Sequence, residues 1–415
     1  MKKITFLFIS VLLLLTSICG AKAEDGVSVW VNGLKYEFSD LSPVIIDDRT
    51  MIPAKSYTDA DILTVNIDGS PYIPVRVAAE NKGASVYWEP NCREVHIITK
   101  SVFENVPEKL IPHTFRYAEN EVYDCENCFS INGNYFFNPI SIQPFNALRY
   151  AHIINKIAEA VPDAKVYNML VPDSYEFYAP GRFYTGQWQA IEYVYANLSA
   201  TVTPIRATEK LLEHANEKIY FSTDHHWTHK GAYYAWESFC EEKGFEPPDI
   251  SKFTRDDTDR FSGSYITRME PDKKLESFVT SETMERYLPI YETDLTVYSD
   301  CEMTKKLGKP PIINTKNNTY SCFISGDHPL TVIKSSAGNG KKLAIIKESF
   351  GNALATWAVN NYEYVYVIDI RGFKGGMLKI SEFYENTKFD DLIIESYPTT
   401  VESSDLRGYL SEMAQ

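Results

Sequence analysis

Residues 342–371 read KLAIIKESFGNALATWAVNNYEYVYVIDIR. Two runs rich in Val, Ile and Tyr, at 342–348 and 364–371, flank a helix-like segment at 351–362. Strands of this composition separated by helices of about 10–15 residues are typical of parallel βαβ units. The stretch therefore predicts an α/β fold, with a parallel sheet flanked by helices.

The same alternation of helices and strands extends on both sides of this stretch. A helix-like segment at 145–161 precedes an apolar strand at 165–172, and a helix at 376–386 precedes a strand at 391–397. The block 249–335 is polar and irregular, so we expect it to cross the top of the sheet, where binding loops lie.

Residues 24–100 have a different pattern. Short Val- and Ile-rich runs alternate with turns at Asn32-Gly33 and Asp68-Gly69, which predicts β-hairpins. Residues 46–55 and 67–76 repeat one pattern, a turn followed by a short apolar strand that ends at Pro and a base. The change near residue 100 predicts two domains, a small β-rich one at 24–100 and an α/β one at 101–415.

The first 23 residues are typical of a secretory signal peptide. Lys2 and Lys3 precede an apolar run at 4–15, and Ala21-Lys22-Ala23 matches a cleavage site. No later run approaches the roughly 20 apolar residues of a membrane-spanning helix. We therefore expect a secreted protein with no transmembrane segment in the mature chain.

Composition restricts the partners. The 415 residues carry 41 Lys+Arg against 56 Asp+Glu, a formal charge of −15, which disfavours nucleic acid and anionic membranes. An even number of cysteines beyond the signal permits disulfides. Cys125 and Cys128 form a C-x-x-C pair, for which a structural disulfide or unreactive thiols are favoured over redox or zinc chemistry. The cysteines are Cys92, Cys125, Cys128, Cys240, Cys301 and Cys322.

The densest chemical signal is YFSTDHHWTHKGA at 220–232. Its histidines could cap a helix, bind a metal, or form a catalytic pair with the acid. A metal site would use Asp224, His225, His226 and His229. Zinc-binding helices usually space their ligands i and i+4, whereas His226 and His229 are three residues apart and His225 is expected to point elsewhere. An Asp-x-His turn instead lets the carboxylate fix the imidazole tautomer for a nucleophile elsewhere in the chain.

Ser349 is the candidate nucleophile. It follows an apolar strand and opens a helix, at the edge where open α/β sheets bind their ligands. The free N–H groups of the first helical turn could stabilise an oxyanion. An ordinary helix N-cap is the alternative. Together with Asp224 and His226, Ser349 predicts a catalytic triad without metal or cofactor.

The motifs YFSTDHHWTHKGA and IIKESFGNA…VYVIDIR resemble the DHHW family, which is related to the alginate O-acetyltransferase-like branch of the SGNH hydrolases. The resemblance spans about residues 101–415. It implies an SGNH-hydrolase-like sheet with a circularly permuted motif order, Asp-x-His before Ser. It also implies that Asp224 orients the imidazole of His226, that His226 acts as general base and that Ser349 is the nucleophile.

The resemblance supplies further candidates around the serine. Arg371 matches a family arginine near the active site, whereas Glu348 departs from the Asp that more often precedes the serine. The N–H of Ser349 and the side chain of Asn352 are candidate oxyanion donors. Arg371 and His225 complete the candidate substrate contacts.

Residues 26–99 resemble the copper amine oxidase N-terminal-like domain, through VNG, I-P-V-R, a short A-E-x-x-G-A helix and V-x-W. The resemblance implies an accessory module at the cell surface or cell wall. It does not imply copper, because His96 is the only histidine in this stretch.

The favoured function is a secreted serine esterase or O-acetyltransferase that acts on a (poly)saccharide through an acyl-serine. Aromatic residues at 182–195 and 263–269 could stack on sugar rings, although such residues more often pack in a core. The alternative is a non-catalytic cell-surface or polysaccharide-binding protein on the same scaffold. The alternative gains if Ser349 Oγ lies beyond hydrogen-bond reach of His226.

Overall fold

The computed structural model describes residues 26–31, 34–56, 63–89, 93–99, 122–125, 128–131, 135–179, 186–268, 280–373 and 378–415. The predicted signal peptide and Cys92 lie outside these residues. The chain divides into two compact units, Met1–Ile97 and Ile98–Gln415. Each unit has an apolar core of its own.

The N-terminal unit is small and β-rich. It contains two four-stranded sheets, of order β2-β1-β8-β7 and β3-β4-β6-β5, and one short helix. The elements are β1 (Ser28–Val31), β2 (Leu34–Lys35), β3 (Val44–Ile46), β4 (Arg49–Pro53), β5 (Val65–Ile67), β6 (Ser70–Pro74), α1 (Val75–Glu80), β7 (Ser85–Glu89) and β8 (Glu94–Ile98).

The internal repeat of the sequence builds the second of these sheets. Each copy forms one hairpin, β3–β4 or β5–β6, and β4 pairs with β6 in antiparallel register, with Ile52 opposite Ile73. The hairpin turns lie at Asp47-Asp48 and at Asp68-Gly69, all with positive φ. Asp and Gly suit these turns because they adopt positive φ at low cost.

The second unit is an α/β fold around one large sheet. Its strands are β9 (Val122–Cys125), β10 (Cys128–Ile131), β11 (Tyr135–Phe137), β12 (Lys165–Leu170), β13 (Val202–Pro204), β14 (Thr254–Arg255), β15 (Thr258–Phe261), β16 (Glu282–Met284), β17 (Tyr287–Leu288), β18 (Thr293–Tyr298), β19 (Lys306–Gly308), β20 (Leu330–Ser335), β21 (Lys342–Lys347), β22 (Tyr364–Asp369) and β23 (Asp391–Ser396). Its helices are α2 (Pro144–Ala160), α3 (Ser174–Tyr178), α4 (Gln187–Ala196), α5 (Ala207–Glu213), α6 (His229–Lys243), α7 (Ser264–Arg268), α8 (Gly351–Ala358), α9 (Ile380–Thr387), α10 (Pro398–Glu402) and α11 (Ser404–Met413).

The large sheet has the order β13-β12-β23-β21-β22-β20-β18-β19. The first five strands are parallel to one another, and the last three pair antiparallel. The predicted α/β fold with a largely parallel sheet and a small β-rich N-terminal region is therefore confirmed.

The block 249–335 differs from the prediction. It supplies β18, β19 and β20, so it is in part an extension of the sheet rather than an excursion across its top. Strand β18 mixes Thr and Asp with Leu, Val and Tyr. Such mixed composition suits a strand near the edge of a sheet, and it hides the strand in a search for continuous apolar runs.

Three parallel strands bring chemical groups to one edge of the sheet. The chain leaves β21 at Lys347 and passes through Glu348, Ser349 and Phe350 before the fully buried helix α8. Strand β22 ends at Asp369, and β23 carries Glu395 next to its last residue. The carboxyl ends of neighbouring parallel strands meet at the same edge, which places these groups together.

The structure describes the side chains of only some of the cysteines. Cys240 and Cys322 are buried free thiols. Cys125 and Cys128 are opposite each other in the register of β9 and β10.

Within the described ranges, no helix has the length and apolar character needed to cross a membrane.

Candidate active site

The Asp-x-His motif forms a tight turn just before helix α6. Asp224 Oδ1 accepts hydrogen bonds from His226 Nδ1, at 2.5 Å, and from the backbone N–H of His226, at 3.0 Å. His226 Nε2 lies 2.7 Å from Ser349 Oγ, across 123 residues of sequence. Because Nδ1 donates to the carboxylate, Nε2 is left as an acceptor for the serine hydroxyl.

The Asp224 carboxylate is buried, and its other oxygen accepts from the backbone N–H of Ser264 at 2.6 Å. Burial alone would raise the pKa of Asp224. The charge and hydrogen bond of His226 oppose this and hold that pKa well below its ordinary value. Asp224 is therefore ionised, as a group that orients an imidazole must be.

Aromatic side chains hold His226 and the serine turn in place. The ring of Tyr320 stacks on the imidazole, with 3.7 Å between centroids and 4° between planes. The Nε1–H of the fully buried Trp227 lies 3.1 Å from both the Phe350 carbonyl and the Tyr320 hydroxyl. Trp227 precedes the helix rather than opening it, because Thr228 is the N-cap and accepts from the Gly231 N–H.

Two residues distant in the sequence, Gly263 and Glu282, hold the turn that carries Asp224 in place. Glu282 accepts hydrogen bonds from the N–H groups of Ser222 and Thr223 and from the Thr223 hydroxyl, at 2.6–2.9 Å. Gly263 lies so close that a Cβ there would be 2.1 Å from the Thr223 carbonyl oxygen. No motif marked either residue, because the contact depends on a fold that joins segments about 40 and 60 residues apart.

The histidines of the motif have separate surroundings. His229 Nδ1 accepts from the Tyr287 N–H at 3.0 Å, so its Nε2–H donates to Thr356 Oγ1 at 2.7 Å. Burial lowers the pKa of His229 to about 3, so it is a neutral side chain that ties α6 to α8. His229 is therefore not available as a ligand for a metal bound by the other residues of the motif.

The sequence analysis predicted that His225 points away from the other histidines, and this prediction was wrong. Its ring lies 3.8 Å from that of His226, and its Nδ1 bonds Ser264 Oγ at 2.9 Å. The possible ligand atoms of Asp224, His225 and His226 lie within 4.8 Å of one another. Asp224 and His226 already bind each other, and His226 Nε2 faces Ser349, so the arrangement suits proton transfer better than metal binding.

Arg371 and Asn352 meet at Asp327, which the sequence did not single out. The Asp327 carboxylate accepts from Asn352 Nδ2 at 2.9 Å and pairs with Arg371 at 2.8 Å. Lys347 Nζ lies 3.1 Å from Asp327 and 2.8 Å from Asp369. Burial opposes ionisation of Asp327, but the charges of Lys347 and Arg371 hold its pKa well below the ordinary value.

An open cleft of about 440 Å³ is lined by the triad residues and by Asn352, Asp327 and Arg371. The triad residues lie against one wall, with Asn352, Asp327 and Arg371 beside them. Hydroxyl side chains supply much of the remaining lining, namely Ser262, Ser264, Thr267, Thr319 and Ser321. Of the aromatic residues expected to stack on sugars, Trp188, Tyr193, Tyr195 and Tyr265 are buried and do not line the cleft. Phe183 and Tyr184 lie outside the described residues.

Residues 127–368 match the family model described as DHHW protein. The chain belongs to the DHHW family. The matched range contains Asp224, His226 and Ser349, whereas Arg371 and Glu395 lie beyond it. No curated protein matches this DHHW chain.

Two solved structures share the fold of this DHHW protein, and a third is more distantly similar to it. A DHHW family protein from Eubacterium siraeum is 25% identical and covers 70% of this chain and 97% of its own, with a TM-score of 0.62. PatB1 of Bacillus cereus, solved with a sulfonyl adduct, is 16% identical and covers 68% and 97%, with a TM-score of 0.57. The O-acetyltransferase domain of Pseudomonas putida AlgJ is 10% identical and covers 71% and 99%, with a TM-score of 0.44.

Proposed function

We propose that this DHHW protein is a serine acyl esterase or O-acyltransferase. The observation that carries the proposal is the hydrogen-bonded chain from Asp224 through His226 to Ser349, with distances of 2.5 and 2.7 Å, at the wall of an open cleft. A serine hydroxyl within reach of an oriented imidazole is the arrangement that acyl transfer requires.

The chemistry proceeds in two half-reactions. His226 Nε2 takes the Ser349 hydroxyl proton as Oγ attacks the ester carbonyl, and Asp224 stabilises the imidazolium that forms. The tetrahedral intermediate expels the alcohol, which takes the proton from His226 and leaves an acyl-serine. A second hydroxyl, from water or from a sugar, then attacks the acyl-serine carbonyl while His226 takes its proton. The acyl–Oγ bond breaks, the acyl group stays on the new alcohol or acid, and His226 returns the proton to Ser349 Oγ.

The lining of the cleft favours a carbohydrate as one of the two alcohols. Its seryl and threonyl hydroxyls can both donate and accept hydrogen bonds, which matches the hydroxyls of a sugar. We therefore place the protein among enzymes of acylated polysaccharides. The 2.7 Å contact between Ser349 and His226 supports catalysis over the binding-only alternative.

We further propose that the protein is secreted and that residues 24–100 hold it near the cell wall. These proposals rest on the signal-like residues 1–23 and on the resemblance of the N-terminal unit to an accessory domain. The separate core of that unit is compatible with such an appended module.

The experiment is turnover of a chromogenic acetyl ester by the wild type and by Ser349→Ala. We expect the variant to lose at least about 10³-fold in kcat. Ser251→Ala, an exposed serine on the 3₁₀ turn Ile250–Lys252, is the matched control and should keep wild-type turnover. Equal turnover by wild type and Ser349→Ala would refute the proposal.

Two additions sharpen this experiment. A sulfonyl fluoride should modify the wild type at Ser349, located by peptide mass, and should leave Ser349→Ala unmodified. A chelator should leave turnover unchanged, because the proposed chemistry uses no metal. Stoichiometric metal together with chelator-sensitive turnover would instead favour a site at Asp224, His225 and His226. Sugar oligomers then show whether the acyl group passes to water or to a sugar.

A further inference from the structure

Two glutamates lie buried directly beneath the candidate nucleophile. Glu348 immediately precedes Ser349, and Glu395 lies near the end of the neighbouring strand β23. Their exposed fractions are 2% and 1%. Glu348 Oε2 accepts from the Phe350 N–H at 3.1 Å and lies 3.5 Å from Ser349 Oγ. Glu348 therefore contacts the serine turn directly, and Glu395 Oε2 lies beside Gly351, 3.1 Å from where a Cβ would be.

The two carboxyl groups lie within hydrogen-bonding reach of each other, and the described part of the chain supplies too few donors for them. Glu348 Oε1 and both oxygens of Glu395 are buried without a well-aligned hydrogen bond, and the Gly351 N–H is a backbone donor beside Glu395. A buried acceptor without a donor is costly. One proton between the two carboxyl groups would supply a donor at this contact.

The nearby cations do not neutralise the pair. Lys347 and Arg371 are bound to Asp327 and Asp369, so these four groups carry two positive and two negative charges. Two ionised glutamates beside this balanced group would leave two uncompensated charges in the interior. Such pairs in other proteins hold one proton in common.

The other titratable groups that face the pair leave this balance unchanged. Tyrosines approach it from α2, from the segment before α6, from the 3₁₀ turn before β20 and from the residue after β23, and burial raises the pKa of each one above its ordinary value. They are Tyr150, Tyr220, Tyr320 and Tyr397. His226 contacts the far side of Ser349 and is hydrogen-bonded to Asp224.

We propose that Glu348 and Glu395 share one proton and that this carboxyl–carboxylate pair positions the Ser349 turn. Both are positioning residues, because they act through the serine rather than on the substrate. Loss of the proton at alkaline pH would put two like charges beneath the turn and displace Ser349 from His226. The consequence for turnover rests on the proposed function, whereas the shared proton itself does not.

The electrostatics support this assignment. Burial raises the pKa of Glu348 from its ordinary value of 4.5 to about 7. Burial and the adjacent Glu348 raise the pKa of Glu395 well above its ordinary value. Since the folded state keeps a proton that unfolded glutamate loses near pH 4.3, about its model-peptide pKa, the pair's contribution to the free energy of unfolding is full below that pH. It declines as pH rises through and above pH 7.

The direct test is infrared spectroscopy of protein labelled with ¹³C-glutamate, at pH 7. The wild type should show the C=O band of a protonated glutamate, and the band should be absent from Glu395→Gln and from Glu348→Gln. Absence of the band from wild type, or its persistence in both variants, overturns the proposal.

The functional test compares pH profiles of ester turnover. Glu395→Gln keeps a hydrogen-bond donor towards Glu348, so it should keep turnover at pH 7 and lose the alkaline decline caused by the pair. Glu395→Leu removes the donor and should lose about 10²-fold, as expected when a reacting group is misplaced by about 1 Å. Thermal melts confirm that both variants fold.

The outcomes separate this inference from the proposed function. Identical pH profiles for wild type, Glu395→Gln and Glu395→Leu would show that Glu395 only fills space. If the protonated-glutamate band is present but Ser349→Ala turns over ester normally, the proposed function fails and the shared proton stands.

Discussion

Each carboxylate oxygen of Asp224 has its own donors, the His226 imidazole and N–H on one side and the Ser264 N–H on the other. An amide of the same shape must present an N–H to one of these donors. The side chain therefore acts through charge and acceptor geometry rather than through bulk. At the scale of single residues, we therefore expect Asp224 to be needed for the reaction rate rather than for stability.

Asp224→Asn should lower kcat for ester turnover by about 10⁴-fold with the fold intact, because the amide no longer enforces the correct imidazole tautomer. Turnover and a thermal melt of the same sample check this. Asp294→Asn, at an exposed position of β18, is the matched control and should behave as wild type. Near-normal turnover by Asp224→Asn would make the triad assignment wrong.

Trp227→Ala should lower the free energy of unfolding by about 3–5 kcal/mol, since it deletes a fully buried indole. Turnover should fall as well, because the indole N–H binds the carbonyl of Phe350, next to Ser349. Denaturant unfolding measures the effect. Trp227→Phe keeps much of the packing and should cost less, and equal losses for the two variants would show that packing is not the main contribution.

At the scale of elements, the site depends on contacts between turns rather than on any single helix or strand. The turn that carries Asp224 is fixed by Glu282 on β16 and by the residues that open α7. The serine turn is fixed by strand ends from β21 and β23. These turns have fixed shapes because backbone groups of each are bound by side chains from elsewhere in the sequence.

Gly263→Ala should reduce turnover strongly, because its Cβ would collide with the Thr223 carbonyl and displace the Asp224 turn. Gly408→Ala is the matched control. Gly408 lies within α11 with open space around it, so alanine there should stabilise the helix by about 0.5–1 kcal/mol. Kinetics and melts on both variants test the contrast. Unchanged turnover by Gly263→Ala would mean that the turn tolerates the shift.

The sequence predicts those parts of the site and the fold that local patterns encode. Strands β21, β22 and β23 are continuous apolar runs, and Asp224, His226 and Ser349 lie in dense motifs, so each can be recognised from neighbouring residues alone. Asp327, Glu282 and Glu395 have no such local signal. Their roles come from long-range pairing, such as the contact of β21 with β23, which no short window of sequence contains.

At the scale of the whole molecule, the two units have separate apolar cores, one built around Val29, Ile73 and Val95 and the other around the large sheet. The residues of the active-site cleft all belong to the second unit. The chemistry should therefore not require the N-terminal unit to be attached.

Limited proteolysis should cut the chain near residues 100–105, which lie outside the described ranges, and release a large fragment that keeps ester turnover. Each fragment retains an apolar core of its own, so cleavage between the units leaves both cores intact. Gel analysis, N-terminal sequencing and turnover of the purified fragment provide the measurement. A chain that resists cleavage there, and unfolds in one cooperative step, would count against two independent domains.

The position of β23 has a consequence for biosynthesis. This strand is the last of the sheet to leave the ribosome, yet it lies between β12 and β21, in the middle of the parallel part. The two halves of the sheet cannot join until residue 396 has been translated, because nothing else pairs β12 with β21. Pairing over such separations is slow. The complete sheet can therefore form only near the end of synthesis, which is compatible with the secretion that we propose.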